Sequence, residues 1–400
     1  MNLNQTPSGE RIHIGFFGMR NAGKSSLVNA VTGQELSVVS EFKGTTTDPV
    51  KKAMELLPLG PVLIIDTPGL DDEGELGELR VKKAREVLKS IDIAVLAVDS
   101  AKGISPLDKD LISDFEKAEI PYIIAYNKCD INRIKTEKEN EISLSALKGE
   151  NINELKEKLA SLTPKKELKY IVADLIEPKD IVVLVVPIDE SAPKGRIILP
   201  QQQTLREILD VGAVAVVCQD DELPHTLKAL AKKPKLVITD SQVFGKVSKM
   251  LPKDFPLTSF SILFARYKGD LEELVRGAAS LKDLKNGDKV LISEGCTHHR
   301  QCNDIGSVKM PGWIKNFSSA DIEITLTSGT EFPNDLSPYK VIVHCGGCML
   351  NEAQMRSRIN AAKQSGIPIV NYGVAIAHMN GILERSVELF PDLKKLLGNT

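Results

Sequence analysis

The segment GMRNAGKSS, residues 18–26, constrains the fold of this chain more than any other feature. Gly18, Gly23, Lys24 and Ser25 form the pattern G-x-x-x-x-G-K-S, which directly follows the apolar run IHIGFF and directly precedes the helix pattern SLVNAVTG. A glycine-rich loop between a strand and a helix points backbone N–H groups at phosphate oxygens, at a helix N-terminus that favours anions. The pattern predicts a P-loop nucleotide site in an α/β domain.

The lysine and serine of this loop, together with one later segment, indicate which residues would bind phosphate and magnesium. Lys24 is expected to reach the terminal phosphates and Ser25 to ligate the magnesium ion. The motif DTPG ends the apolar strand VLIID, so that Asp66 could hold magnesium through water and the amide of Gly69 could meet the γ-phosphate. The order of these segments along the chain predicts a nucleoside triphosphate site.

The base is indicated by Asn127-Lys128-Cys129-Asp130, which ends the strand YIIAY. Asp130 would accept hydrogen bonds from the ring N–H and amino group of guanine. A buried Asp130 would be left unpaired by adenine, a discrimination on the order of 10⁴-fold at sites of this kind. Ser145-Ala146-Leu147 would supply a backbone amide for the guanine carbonyl. We therefore expect GTP rather than ATP.

The length of the chain predicts more than one domain, since 400 residues exceed what one hydrophobic core usually organises. Alternating apolar strands and helix patterns predict α/β structure throughout, with a mainly parallel sheet first. The segment LTPKKELKY (162–170) reads as a linker, and a second boundary is expected near residue 265. The predicted domains are residues 1–165, 170–265 and 266–400, the second a small α/β unit.

Charge and hydropathy exclude several classes of protein. With 51 basic and 54 acidic side chains interspersed, the chain has no cationic field for non-specific nucleic-acid binding. Its first residues lack the apolar region of a signal peptide, and no apolar stretch is long enough to span a membrane. We expect a soluble, cytoplasmic protein in which six cysteines are not a disulfide framework.

The thiols form a second candidate site. Cys296-Thr297-His298 and His344-Cys345-Gly346-Gly347-Cys348 follow the apolar runs DKVLISEG and YKVIV, and neighbouring strand ends could bring them together. Three thiolates suit iron–sulfur ligation, and three thiolates with one imidazole suit a closed zinc site equally well. The remaining interpretation is that these residues only pack. Cys302 is a further candidate ligand, whereas Cys218, which ends the run AVAVVC, is expected in a core.

Residues 10–162 resemble the translation-factor class of GTPases, and within it the tRNA-modification and Era-like branch. Gly44-Thr45-Thr46-Thr47-Asp48 resembles that branch's switch I, which implies that Thr46 senses magnesium and the γ-phosphate. Leu70 stands where Ras-like proteins carry the water-orienting glutamine. The resemblance implies that Asn21 helps to hold a potassium ion in place of an arginine finger. Glu75 and Glu78 both remain candidates for orienting water.

The whole chain resembles the scaffold GTPases of FeFe-hydrogenase maturation, the HydF family. This rests on the C-x-H and H-C-x-x-C motifs behind such a GTPase, with LVVPIDESAPKGRIILPQQQTLREILDVGA (184–213) between them. The resemblance implies a middle domain that forms a homodimer and a C-terminal domain that binds a 4Fe-4S cluster through Cys296, Cys345 and Cys348. It also implies a di-iron precursor as cargo, two radical-SAM enzymes as partners, and apo FeFe-hydrogenase as the recipient.

The resemblance completes the set of expected site residues. Those expected to contact GTP are Gly18, Asn21, Ala22, Gly23, Lys24, Ser25, Ser26, Asn127, Lys128, Asp130, Ser145 and Ala146. Those expected to act on the γ-phosphate are Lys24, Thr46, Asp66 and Gly69, with Ser25 and Thr46 as magnesium ligands. His298, His344, Cys302, a carboxylate and solvent all remain open as a fourth cluster ligand.

Two competing functions remain. One is a zinc-stabilised GTPase acting in RNA modification or ribosome assembly, disfavoured because nothing after residue 165 is strongly basic. The other is a redox enzyme that uses a cluster for electron transfer, disfavoured because four cysteine ligands are not evident. The leading expectation is a GTP-hydrolysing assembly scaffold.

Overall fold

The computed structural model of the chain describes residues 8–33, 49–70, 74–163, 169–188, 197–295, 305–329, 331–347 and 350–397. The chain divides into two compact units, Met1–Lys166 and Glu167–Thr400. Both units are α/β, which confirms the predicted fold class. None of the helices in the described ranges is long and apolar enough to cross a membrane.

The first unit is a six-stranded sheet with four helices. Its strands are β1 (Ile12–Gly18), β2 (Val50–Leu56), β3 (Gly60–Asp66), β4 (Ile93–Asp99), β5 (Tyr122–Asn127) and β6 (Glu141–Ser143). Its helices are α1 (Lys24–Thr32), α2 (Gly74–Leu88), α3 (Pro106–Lys117) and α4 (Ile152–Leu162). The strand order is β2-β3-β1-β4-β5-β6, with β2 antiparallel to β3 and the other pairs parallel.

Two cores cover the two faces of this sheet. Phe16 lies in one core and Phe17 in the other, both fully buried, because successive strand residues point to opposite faces. Burial on both faces explains why the central strands are continuous apolar runs. The edge strand β2 is mostly exposed, and its sequence VKKAMEL has no such run, so the sequence analysis missed it.

The second unit contains two four-stranded parallel sheets. Its strands are β7 (Ile181–Val185), β8 (Val214–Cys218), β9 (Leu236–Thr239), β10 (Leu257–Ser259), β11 (Lys289–Ser293), β12 (Glu323–Thr327), β13 (Val341–His344) and β14 (Ile369–Asn371). Its helices are α5 (Leu199–Asp210), α6 (Leu223–Ala229), α7 (Phe244–Met250), α8 (Phe260–Lys268), α9 (Leu271–Ala279), α10 (Met310–Ser318), α11 (Glu352–Gln364), α12 (Tyr372–Met379), α13 (Leu383–Ser386) and α14 (Pro391–Leu397). The orders are β10-β9-β7-β8 and β12-β11-β13-β14.

The last sheet has a topological switch point between β11 and β13. The chain runs from β11 to β12 on one side, then crosses to β13 on the other side of β11. The crevice at the carboxyl ends of two such strands is where open parallel sheets bind ligands. Ser293 and His344 end the two strands and are paired in register.

Among the described residues, the strand β8 lies at the edge of the sheet β10-β9-β7-β8 and pairs with β7 alone. Val214 is 49% exposed and Val217 48% exposed, and Cys218 is partly exposed. The expectation that Cys218 ends a buried run was therefore wrong. An apolar run does not distinguish a central strand from an edge strand whose apolar face is open.

Candidate functional site

The P-loop connects β1 to α1, as predicted. Gly23 has a left-handed backbone with φ +80°, and a Cβ there would collide with the side-chain amide of Asn127. A Cβ on Gly18 would likewise collide with the backbone carbonyl of Ala97 on β4. Both positions therefore require glycine. The loop is held close against β4 and the residue that ends β5.

Lys24, Ser25 and Asp66 meet beneath this loop. The Nζ of Lys24 forms a buried ion pair with the carboxylate of Asp66. The hydroxyl of Ser25 donates to the other carboxylate oxygen at 3.4 Å. The lysine expected to bind phosphate and the serine expected to bind magnesium therefore both contact the carboxylate expected to hold magnesium through water.

The DTPG segment is tied to the P-loop by its backbone. The N–H of Arg20 donates to the carbonyl of Leu70 at 2.8 Å, and the N–H of Leu70 donates to the carbonyl of Gly18 at 3.1 Å. Gly69 lies against the backbone of Arg20. Gly69 is therefore placed beside the phosphate loop, as its predicted contact with the γ-phosphate requires.

Several expected residues of this site lie outside the described part of the chain. These are Thr46 with the rest of the switch I segment, residues 44–48, and the side chain of Glu75. Glu78 lies on α2 and is exposed. The choice between the two glutamates stays open.

Asn127 joins the guanine motif to the P-loop and to the Ser145-Ala146 segment. Its buried side-chain amide donates to the carbonyl of Ala22 at 3.0 Å. Its side-chain oxygen accepts from the N–H of Lys128 at 2.9 Å and from the N–H of Ala146 at 3.0 Å. The three segments that were expected to share one nucleotide are therefore brought together.

The ammonium of Lys128 bridges the P-loop and β4. It donates to the carbonyl of Asn21 at 2.8 Å and pairs with the Oδ2 of Asp99 at 2.6 Å. Burial alone would raise the pKa of the Asp99 carboxyl, but the hydrogen bond and charge of Lys128 bring that pKa below its usual value. The sequence analysis missed Asp99, although its place at the end of β4, in register with Asn127, was a usable signal.

Among the other expected GTP contacts, Ala22 and Ser145 are buried and Ser26 is partly buried on α1. Asp130 is exposed just after β5, which differs from the buried carboxylate assumed in the selectivity argument. A base would have to cover Asp130 for that argument to hold.

Cys345 and Gly295 lie at the switch point between β11 and β13. The N–H of Gly295 donates to the Sγ of Cys345 at 3.0 Å, and the N–H of Cys345 donates to the carbonyl of Ser293 at 3.0 Å. A second amide, that of Gly347, lies 3.4 Å from the same sulfur. Cys296 follows Gly295 directly in the sequence. The two strand ends that precede the motifs are therefore neighbours, whereas the meeting of the motifs themselves stays a prediction.

The other candidate ligands, Cys296, His298, Cys302 and Cys348, lie outside the described residues. In the described ranges, no group of three or more His, Cys, Asp or Glu residues is placed to hold a metal ion. The donor chemistry at Cys345 fits a metal thiolate, because two amides directed at a sulfur stabilise its anionic form. Cys345 therefore fits the expected cluster.

His344 is fully buried beside this sulfur, and both of its ring nitrogens are occupied. Arg358 can only donate, so the Nε2 of His344 accepts from it at 2.7 Å. The Nδ1 then carries the proton and donates to the carbonyl of Cys345 at 2.6 Å. Burial, with the charge of Arg358, lowers the pKa of His344 to about 3. In this arrangement neither nitrogen has a lone pair for iron.

Profiles of three protein families match this chain. A 50S ribosome-binding GTPase profile matches residues 13–128. The hydrogen maturase F dimerization domain matches residues 171–269, and the hydrogen maturase F tetramerization domain matches residues 272–389. Three successive parts of the chain are thus each similar to a known domain.

Curated relatives match mainly the first unit. GTPase Der of Wolinella succinogenes is 34% identical over 174 residues, covering 39% of this chain and 36% of the relative. The tRNA modification GTPase MnmE of Dechloromonas aromatica is 30% identical over 154 residues, covering 37% of this chain and 34% of the relative. GTPase Era of Clostridioides difficile is 28% identical, covering 52% of this chain and 78% of the relative. This chain thus spans about a third of the length of the first two relatives.

Solved structures of GTPases are also similar. A variant of Era from Aquifex aeolicus bound to GDP and aluminium fluoride is 21% identical, covers 55% of this chain and 98% of its own, and has a TM-score of 0.34. A probable GTP-binding protein engB is 26% identical, covers 38% of this chain and 100% of its own, and has a TM-score of 0.31. The profile match over residues 13–128 and the similarity to GTPase Der show that the first unit contains a GTPase domain of the P-loop type.

Proposed function

We propose that this chain, which has the domain architecture of hydrogen maturase F, is a GTP-hydrolysing assembly scaffold. In that architecture a GTPase domain is followed by that family's dimerization and tetramerization domains. The scaffold binds a 4Fe-4S cluster and carries a di-iron precursor of the FeFe-hydrogenase active site. The observation that supports the proposal is the contact of Gly295, which directly precedes Cys296 in the sequence, with the sulfur of Cys345 at the paired ends of β11 and β13.

The nucleotide half of the proposal assigns roles to residues that the fold brings together. Lys24 leaves Asp66 to bind the terminal phosphates, and Ser25, with Thr46, ligates magnesium. Asn127 and Lys128 hold the P-loop and the base-binding segment in one arrangement. Asp130 reads the guanine edge. Potassium, held in part by Asn21, supplies the positive charge that an arginine finger would supply.

The thiol half assigns Cys296, Cys345 and Cys348 as cluster ligands. Gly295 and Gly347 direct their amides at the sulfur of Cys345 and so favour its thiolate. The fourth iron position is held by a group that can leave, namely His298, a carboxylate or solvent. When bound, the cluster supplies an iron site that can accept cargo. His344 is left to orient the segment that carries Cys345.

The edge strand β8 supports the homodimer. Within the described part of the chain its backbone pairs on one side only, and Val214 and Val217 are half exposed on it. An open apolar edge is suited to pairing with a second copy across a two-fold axis. We expect Val217→Lys to give monomers by light scattering, and Lys228→Glu, on the neighbouring α6, to leave the dimer intact. A Val217→Lys protein that remains dimeric would place the interface elsewhere.

The second candidate, a zinc-stabilised GTPase acting on RNA, is favoured by one observation. Relatives of the first unit include a protein named a tRNA modification GTPase. Against this, the maturase profiles match 171–269 and 272–389, where an RNA-binding part would have to lie. Metal analysis separates the two candidates, because zinc supports the second and iron with sulfide supports the first.

Delivery is tested with apo FeFe-hydrogenase as the recipient. Chain produced together with the two radical-SAM enzymes should activate the apo-hydrogenase, and chain produced without them should not. The Cys345→Ser variant, produced in the same way, should fail because the cargo has no site. Activation that is equal with and without this chain would contradict the scaffold function.

A further inference from the structure

Arg358 places a buried positive charge at the thiol site. It lies on α11 and is 5% exposed. Its guanidinium donates to the hydroxyl of Ser293 at 3.1 Å, to the Nε2 of His344 at 2.7 Å and to the carbonyl of Gly329 at 2.7 Å. It thus contacts the carboxyl ends of β11 and β13 and the residues that follow β12. The cation therefore lies at the crevice between the carboxyl ends of β11 and β13, next to the segment that carries Cys345.

The hydrogen-bond partners of this cation are all uncharged. Besides those three groups, it lies 3.5 Å from the carbonyl of Glu331 and its centre lies 5.1 Å from the ring of Phe332. Within the described ranges no carboxylate pairs with it, unlike its neighbour Arg356, which is exposed and bonds Glu352 at 2.7 Å. Removing a charge from water without a counter-ion is costly, so such a cation calls for an anion.

The nearest source of negative charge is the thiol site itself. Burial lowers the pKa of the Arg358 guanidinium, and the charge that opposes this is the thiolate of Cys345. Arg358 reaches Cys345 through the imidazole of His344, which bonds both the guanidinium and the carbonyl of Cys345. A 4Fe-4S core is cationic, but with three thiolate ligands, Cys345 among them, the cluster as a whole would be anionic and would become more so on reduction.

We propose that Arg358 is the fixed counter-charge of the anionic metal–thiolate group bound between β11 and β13. This inference rests on the proposed cluster function. Arg358 stabilises the more negative, reduced form of that group and so raises its reduction potential. Arg358 is a positioning residue, because it acts through His344 and through its electric field and does not itself bind iron.

The test is a mediated redox titration of the iron-loaded, full-length protein, followed by paramagnetic resonance. Arg358→Met removes the charge and fills the same space without needing hydrogen bonds. Arg358→Lys keeps the charge and loses the planar fork. Arg356→Met is the matched control, two residues away on the same helix but exposed. We expect a more negative potential in Arg358→Met, and potentials close to wild type in Arg358→Lys and Arg356→Met.

The outcomes are distinct. Unchanged potential in Arg358→Met with iron bound would overturn the inference and leave the proposed function standing. If Arg358→Met takes up no iron, the Arg358→Lys variant decides. Retention of iron by Arg358→Lys would support the role of Arg358 as counter-charge. Loss of iron from both variants would overturn that role and show that the arginine is purely structural. A wild-type chain that takes up no iron would overturn the proposed function and, with it, this inference.

Discussion

The backbone N–H of Gly295 donates a hydrogen bond to the Sγ of Cys345 at 3.0 Å, across the crevice between β11 and β13. Fifty residues separate the two in sequence, and the parallel pairing of Ser293 with His344 brings them together. The next residue after Gly295 is Cys296, the first residue of the C-x-H motif. This contact supports the proposal that the two motifs form one site.

We predict that each of the three proposed cysteine ligands is needed for the cluster. Serine at Cys296, Cys345 or Cys348 should lose bound iron and visible absorption, because an alkoxyl group is a poor substitute for thiolate at iron. Serine at Cys302 should keep the cluster. Cys218→Ser, on the edge strand β8, is the control and should match wild type. Loss of iron from Cys302→Ser as complete as that from Cys296→Ser would indicate four-thiolate ligation instead.

We predict that His344→Gln retains the iron. The glutamine amide can accept from Arg358 and donate to a carbonyl, as the imidazole does, and neither nitrogen of His344 is free to bind metal. Imidazole or cyanide should still perturb the paramagnetic-resonance spectrum of the reduced cluster, because the exchangeable position lies elsewhere. A His344→Gln protein that keeps its cluster but no longer responds to these ligands would show that His344 holds the fourth iron.

Asp130 and Asp99 should affect nucleotide binding differently. Asp130→Asn should weaken GTP and allow binding of xanthosine triphosphate, because an amide pairs with the xanthine edge. Asp99→Asn should weaken both nucleotides together, since Asp99 anchors Lys128. Fluorescent nucleotide titrations measure both affinities, and Lys109→Ala on α3 serves as the control. If Asp130→Asn loses no more affinity for GTP than Asp99→Asn does, and gains no affinity for xanthosine triphosphate, then Asp130 does not read the base.

Turnover of GTP should be faster in potassium than in sodium. The chain has Leu70 where a water-orienting glutamine would stand, and Asn21 lies in the P-loop beside the proposed ion. Loss of one such positive charge should slow hydrolysis by roughly a hundredfold. The rate of phosphate release in matched potassium chloride and sodium chloride measures this difference. In Asn21→Ala the difference between the two salts should disappear. Equal rates in the two salts would remove the potassium from the mechanism.

Most of the nucleotide site could be predicted because its motifs are local. Gly18 to Ser25 carry a loop, a strand end and a helix start within a few residues, and backbone geometry determines how they bind phosphate. Asp99 could not be predicted in this way. Its role comes from the register of β4 with β5, which places it beside Asn127 and within reach of Lys128.

The position of the thiol site could be predicted from the sequence, but the buried positive charge of Arg358 beside it could not. Apolar runs ahead of Cys296 and His344 indicated two strand ends, and the sheet makes them neighbours. Arg358 lies in an ordinary amphipathic helix pattern, close to the exposed Arg356, and only tertiary packing separates their roles. In the sequence, His298 and His344 looked equally suited to bind metal. The burial of His344 and its hydrogen bond with Arg358 argue against that role for His344.

The most direct test of the whole account is the visible spectrum and metal content of the full-length protein purified without oxygen. Iron–sulfur ligation by the three cysteines predicts a brown protein with a broad sulfur-to-iron absorption band, bleached by reduction, and iron and sulfide in about equal amounts. Lys24→Ala should show the same spectrum while losing GTP turnover. A colourless protein that contains zinc in place of iron, with GTP turnover intact, would contradict the account.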